Sequence, residues 1–358
     1  MHFGKCKRLA KPPYVCNGCN KTSKKYCHFD QRYYDPKLAQ QRYKSKLVES
    51  RSGFDLTEAE LLEVNRLVSP MVKHGCSPYH IAKSLAGTIG LSQSTIYRLV
   101  DSGKLDARNI DLPEKVSRRP RKSSRRALHN EIVHISKLGR MYTDFLQYMN
   151  ENDTFHVEMD CLEGKQDEPK TLLTLHWKTM SMQIAIMMNR HNSANVVAAL
   201  DRIEKALGQA LFKSVFPVIL TDNGTEFTDI EGMERSVFDP TVNRTRIFFC
   251  DPNRSDEKGS CEVNHKLIRN VIPKGKSLMP YEQKDITLMM NHINSYRREK
   301  LAGNAAYDVA MTVFPQEFFD RLDLKRIPDR KIKLKFELLA DARREYRNSI
   351  KALTGKAE

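Results

Sequence analysis

The chain has no run of eighteen apolar residues and no apolar segment near its N-terminus that would serve as a signal. The first absence excludes a membrane-spanning helix and the second argues against export, so a soluble, cytoplasmic protein without a membrane partner is expected. No internal repeat is present, which sets a stacked-repeat architecture aside. Acidic residues are scarce: 44 Asp and Glu stand against 60 Lys and Arg, a formal net charge of +16. An excess of that size points to a polyanionic partner, nucleic acid first. At 358 residues the chain is longer than one average domain, so two or three folded units with a sizeable core are expected.

Cysteine is unevenly spread. Cys6, Cys16, Cys19 and Cys27 crowd the N-terminal end, whereas Cys76, Cys161, Cys250 and Cys261 are scattered and read as core or incidental residues. In a reducing compartment the crowded four read as thiolate ligands rather than disulfides. Cys16-Asn17-Gly18-Cys19 has the two-residue knuckle spacing, with Gly18 easing the turn that would aim both sulfurs at one ion. A structural zinc held by all four is expected. Cys6 and Cys27 are its weaker members, because their spacings of nine and seven residues follow no strict rule.

Shifts in composition divide the chain into segments. Residues 1–50 read as the zinc-knuckle-like region and a polar helical segment. In 51–112, Thr57-Glu58-Ala59-Glu60 is a capping box opening a helix whose buried stripe is Leu61, Leu62, Val64, Leu67, Val68 and Met71. Ser77-Pro78 starts a short second helix, Gly87–Leu91 supplies a turn, and Ser92 caps a third helix with Ile96, Leu99 and Val100 inward. Capped helix, glycine turn and capped helix form a helix-turn-helix pattern. Its outward residues, Gln93, Ser94, Thr95, Tyr97 and Arg98, are small, polar or basic, as contacts with bases and phosphates require. An ordinary helical hairpin is the plainer alternative. Residues 113–150 are a basic linker and connecting helix, in which Arg118, Arg119, Arg121, Lys122, Arg125 and Arg126 could track DNA phosphates or merely be solvated.

From residue 151 strands appear: Phe155–Met159, Thr171–Trp177, Met182–Met188, Val218–Thr221 and Thr245–Cys250. A helical stretch, Ser193–Leu211, precedes the fourth, and helices near Gly259 and over about Glu282–Lys300 close the series. This order predicts an α/β ribonuclease-H-like domain over 151–315, following the α-helical N-terminal part. The last segment, 316–358, reads as a charged helical extension with no assigned chemistry. Two strands each deliver a carboxylate, Asp160 and Asp222, the latter in Thr221-Asp222-Asn223-Gly224-Thr225-Glu226-Phe227. Rigidly held acids of this kind suit a hard cation such as magnesium, with Glu262 as a third ligand. Glu158 shares the face of Asp160 by strand alternation, Glu226 competes with Asp222, and Asp256 and Glu257 compete with Glu262. Lys266 and Arg269 fall on the Glu262 face of one helix and would set cations beside a phosphate; a helical Glu262–Lys266 salt bridge is the simpler reading.

The segments HVEMDCLEG, VILTDNGTEF, RIFFCDPNRSDEKGSCEVNHKLIR, PKG and NHINSYRREKL resemble those of bacterial insertion-sequence-thirty family transposases, members of the retroviral-integrase-like DDE superfamily. The resemblance runs from the cysteine region to about residue 315. It implies an integrase catalytic core in which Asp160, Asp222 and Glu262 bind two magnesium (or manganese) ions. Element ends are then nicked by hydrolysis and the freed 3′-hydroxyl attacks target DNA. It implies double-stranded DNA partners (terminal inverted repeats and target), a homodimer or higher assembly on DNA, and a nucleoid-associated location. Alternatives are a metal-dependent nuclease that does not join strands and a non-catalytic DNA-binding regulator. Two departures from the family pattern stand out. A further N-terminal helix-turn-helix has no counterpart before Cys6, as in a truncated copy or an alternative start, and the Asp222–Glu262 spacing is a few residues longer, with the excess expected in the Asp229–Asn243 loop.

Overall fold

A computed structural model of the chain describes residues 6–20, 27–49, 53–113, 115, 137–251 and 259–354, without the side chains of 259–263 and 353–354. It divides into two compact units, Met1–Glu60 and Leu61–Glu358. Among the described residues no helix is long and apolar enough to cross a membrane.

Among its described residues the first unit holds a short helical turn, Lys7–Ala10, and helix α1 (Pro36–Glu49), which buries none of its residues. Asp35 opens α1 by accepting the Lys37 N–H at 2.8 Å. Gly18 has φ +78°, the left-handed region that a side chain would resist, and the Cys19 N–H donates to the Cys16 carbonyl at 3.0 Å. The capping box is formed: Thr57 Oγ1 accepts from the Glu60 N–H at 3.3 Å, and the Glu60 carboxylate accepts from the Thr57 N–H at 2.8 Å. It begins helix α2 (Glu58–Lys73).

In the second unit the apolar stripe of α2 is Val64, Val68, Met71 and Val72, while Leu62, expected inward, is 67 % exposed. At 3.6 residues per turn Leu62 lies about 200° around the helix from Val64, on the solvent side. Helices α3 (Pro78–Ser84) and α4 (Gln93–Asp101) pack together, capped by Ser77 and Ser92, with Ile81, Leu85, Ile96, Leu99 and Val100 buried.

Helix α5 (Tyr142–Glu151) leads into a five-stranded sheet, β1 (Val157–Glu163), β2 (Thr171–Trp177), β3 (Met182–Met188), β4 (Val218–Thr221) and β5 (Arg246–Phe249), in the order β3-β2-β1-β4-β5. Neighbours β3, β2 and β1 are antiparallel; β1, β4 and β5 are parallel. The parallel pairing requires a crossover, supplied by α6 (Ser193–Leu207) and α7 (Gln209–Val215). They were expected as one helix, but Gly208 at φ +79° breaks it. On one face Val157, Met159, Ile219, Ile247 and Phe249 pack with Leu200, Ile203 and Phe212 of the crossover. On the other, Val218, Leu220, Phe248 and Cys250 receive Phe145 of α5.

Helix α8 (Ile230–Glu234) precedes β5, and α9 (Gly259–Val271) and α10 (Gln283–Asn294) follow it. Strand β3 lies at the sheet edge, and α10 covers it: Asn294 and Gln283 side chains accept the Gln183 and Met187 N–H groups at 3.0 and 2.8 Å. Next come α11 (Ala306–Ala310) and α12 (Gln316–Arg321); Phe314 between them and Phe318 of α12 pack on Trp177 with ring centroids 5.5 and 5.6 Å away. Residues 316–339 therefore belong to the core, through Phe318, Phe319, Leu324, Ile332, Leu334 and Leu339. Only α13 (Ala340–Thr354) has the character expected of a charged extension.

Candidate functional site

Strand β1 does not end at Asp160, as the apolar run suggested; antiparallel pairing with β2 carries it three residues further, with Asp160 opposite Thr174. On the other side β1 runs parallel to β4, with Val157 level with Ile219 and Glu158 with Leu220. Those are the last paired residues of the two strands, and continued two residues further the same register would bring Asp160 level with Asp222. Both carboxylates thus reach one rim of the sheet, on the face of Leu220. Asp160 is partly open, its side chain 23 % exposed. Asp222 lies just past β4, where its Oδ1 accepts the Gly224 N–H at 3.0 Å and closes the turn.

The competing acids are engaged elsewhere. Glu158 is fully buried, 3.8 Å from Lys178 Nζ and 3.5 Å from His176 Nδ1. Burial holds the His176 pKa well below its ordinary value, so this imidazole is neutral. Glu226 is nearly buried, with its carboxylate 3.0 Å from His191 Nε2. Asp229 caps α8 by accepting the Gly232 N–H at 2.9 Å. Asp256 and Glu257 lie outside the described residues.

Lys137 was not singled out in the sequence. It is 7 % exposed, its ammonium donates to Asn223 Oδ1 at 2.8 Å, and it sits 4.1 Å from the Phe249 ring centre. Burial lowers its pKa, and the charge of Asp222 opposes that shift. Asn223 also donates to the Cys250 carbonyl at 2.7 Å, so the turn bearing Asp222 is held from two sides.

Glu262 lies in the first turn of α9; its side chain is outside the described residues. Three residues on, His265 Nδ1 is 3.7 Å from Asp160 Oδ2, and its Nε2 is 3.0 Å from Thr174 Oγ1. Lys266 is exposed, whereas Arg269 donates to the Glu163 carbonyl at 2.9 Å and is half-buried, which lowers its pKa.

Lys266 lines a cleft together with Gln93 and Tyr97 of α4, Lys115, Arg298 and Lys300. The half-buried outward residues of α4 therefore face the same cleft as α9, while Ser94 and Arg98 are exposed and Thr95 is tied to Ser92. Arg118, Arg119, Arg121, Lys122, Arg125 and Arg126 lie outside the described residues.

Cys6, Cys16, Cys19 and Cys27 line one cavity. The expected four-sulfur site is nevertheless not closed, since among the described residues no three of their sulfurs come within 4.8 Å of one another. Thiolates on one zinc stand about 3.8 Å apart, given bonds of about 2.3 Å. Here Cys16 Sγ accepts the Arg32 N–H at 3.2 Å and Cys19 Sγ the Arg8 guanidinium at 3.8 Å.

No protein-family model matches the chain. It is 25 % identical over 282 residues to the transposase for insertion sequence element IS4351 of Bacteroides fragilis, covering 78 % of this chain and 81 % of that protein. It is 26 % identical over 158 residues to the transposase for insertion sequence element IS1086 of Cupriavidus metallidurans, 44 % of this chain and 43 % of that one. Among solved structures, a chain of the simian T-cell lymphotropic virus intasome in complex with PP2A regulatory subunit B56 gamma matches with TM-score 0.35 and 15 % identity, covering 45 % of this chain and 55 % of that chain, a likeness too slight to bear on the fold. These two curated relatives are insertion-sequence transposases, in line with the transposase and integrase resemblance of the motifs, although neither match singles out the insertion-sequence-thirty family.

Proposed function

We propose that this chain is a DDE-type DNA transposase that nicks insertion-element ends and joins the 3′-hydroxyl to target DNA. The observation that supports the reading is the parallel pairing of β1 with β4 up to Glu158–Leu220, two residues before Asp160 and Asp222 respectively. Both present only oxygen donors at a partly open rim, which fits a hard divalent cation. In this reading Asp160, Asp222 and Glu262 would hold magnesium or manganese. When bound, a pair of such ions stabilises both the attacking and the leaving oxygen of an in-line displacement.

The chain's own residues supply position and charge. Lys137 and Asn223 fix the turn that carries Asp222, and His265 holds the middle of α9 beside Asp160. Lys115, Lys266 and Lys300 bind phosphates along the cleft, where Gln93 and Tyr97 of α4 meet the same DNA, while the buried Arg298 guanidinium holds Asn264 of α9. In this reading double-stranded DNA carrying terminal repeats is the substrate, and two or more subunits assemble to pair two ends.

The test is incubation with magnesium and labelled duplex carrying the element's terminal repeats. Nicked and strand-joined products are expected. Nicks without joined strands, even with free 3′-hydroxyl ends supplied, would favour the nuclease. DNA binding with neither product would leave the regulator.

A further inference from the structure

Asp160 has its side chain on one face of β1, so alternation turns Cys161 and Glu163 to the other. There they meet His191, which follows β3, and Glu226, which follows the β4 turn. Cys161 Sγ, a His191 ring nitrogen and a Glu226 carboxylate oxygen all lie within 4.8 Å of one another, the only such trio among the described residues. His191 Nε2 is 3.0 Å from Glu226 Oε1, and its Nδ1 is 3.1 Å from Glu163 Oε1.

We propose that Cys161, His191 and Glu226 form a second cation site, selective for zinc-class ions, with Glu163 orienting the imidazole from behind. The donor set decides the class of ion. One thiolate, one imidazole and one carboxylate suit a borderline-soft divalent metal, whereas magnesium takes oxygen. Ligands at bonds of about 2.0–2.3 Å in a tetrahedron stand about 3.3–3.8 Å apart, so the trio closes on an ion with side-chain shifts of about 1 Å. A ligating histidine usually gives its other N–H to a carboxylate, and Glu163 occupies that place. The site is neither sealed nor open, with side-chain exposures of 31 % at His191 and 11 % at Glu226. Three protein ligands leave a fourth position for water.

Such an ion clamps β1, the segment after β3 and the β4 turn, the same two strands that carry Asp160 and Asp222. The proposal does not rest on the DNA chemistry of the Asp160–Asp222 rim, and its test requires no DNA. In the full chain, the thiol of Cys161 is alkylated with and without zinc and followed by peptide mass spectrometry, so that the N-terminal cysteines are counted separately. Zinc should slow labelling of Cys161 at least about tenfold, magnesium should not, and the protection should vanish in His191→Gln and Glu226→Gln. Equal labelling of the wild-type chain with and without zinc overturns the proposal even if the variants do not fold. Protection that survives in both variants overturns it as well.

Discussion

Acidification should loosen the contact between α3 and the chain beyond α10, because His80 is buried as a neutral imidazole. Its ring is fully buried and stacks on Tyr296 with centroids 4.7 Å apart. Nδ1 accepts the Arg297 N–H at 3.0 Å, so the ring proton belongs to Nε2, which faces the Asp329 carbonyl at 3.3 Å. Desolvation lowers the pKa to about 4, against the opposing pull of Asp329. The unfolded chain takes up this proton near pH 6.5. Between about pH 6.5 and pH 4 the unfolded state therefore binds one proton more than the native state. The stability is fully present above about pH 6.5 and is lost as the pH falls toward 4, at about 1.4 kcal/mol per pH unit. Going from about pH 6.5 to about pH 5 removes roughly 2 kcal/mol through this ring alone. Urea unfolding of the wild type and His80→Gln at both pH values isolates the effect. Glutamine keeps a donor for Asp329 but does not titrate, and His156 and His292, also lowered to about 4, are common to both proteins. The stability gap between them should narrow by about 2 kcal/mol at the lower pH. A gap that does not change with pH refutes the reasoning.

Lys137→Met keeps the stem against Phe249 but strips Asn223 of a donor, which should cost about 1–3 kcal/mol in urea unfolding and reduce strand joining while DNA binding persists. Arg244 is fully buried, with Asp201 at 2.6 Å and Glu204 at 3.1 Å. Arg244→Ala leaves the buried Glu204 without a cation, held only by the Ser236 hydroxyl and the Val237 N–H, while Asp201 keeps Arg235 at 3.5 Å; the cost should be about 3–5 kcal/mol, seen as a melting temperature lower by roughly 10 °C. Lys266→Ala and Lys300→Ala should each reduce the salt dependence of DNA affinity by about one phosphate contact, a slope change of about 0.9, with sequence preference unchanged. An unaltered slope would remove that residue from the DNA path.

The positions of three strands were legible because Thr171–Trp177, Met182–Met188 and Val218–Thr221 are apolar runs bounded by polar turns, and the observed strands coincide with them. The end of β1 was not legible, since it is set by pairing with β2 rather than by its own composition. Asp160 and Asp222 were legible as acids at or near strand ends; that β1 and β4 are parallel neighbours is a pairing that no local pattern encodes. Lys137 and His265 were missed for the same reason. Each matters through a partner that is distant in sequence, 86 residues away for Asn223 and 91 for Thr174. Residues 316–339 looked like part of a charged extension because Phe318 and Phe319 sit among Glu317, Asp320 and Arg321, and only packing on Trp177 reveals their inward face.

The most direct test of the central claim compares magnesium-dependent strand joining by the wild-type chain with that of Asp160→Asn and Asp222→Asn, each first checked for unchanged binding to terminal-repeat duplex. Removing one charged oxygen ligand should lower joining at least about a hundredfold in either variant. Joining that continues at the wild-type rate in Asp222→Asn would contradict the assignment.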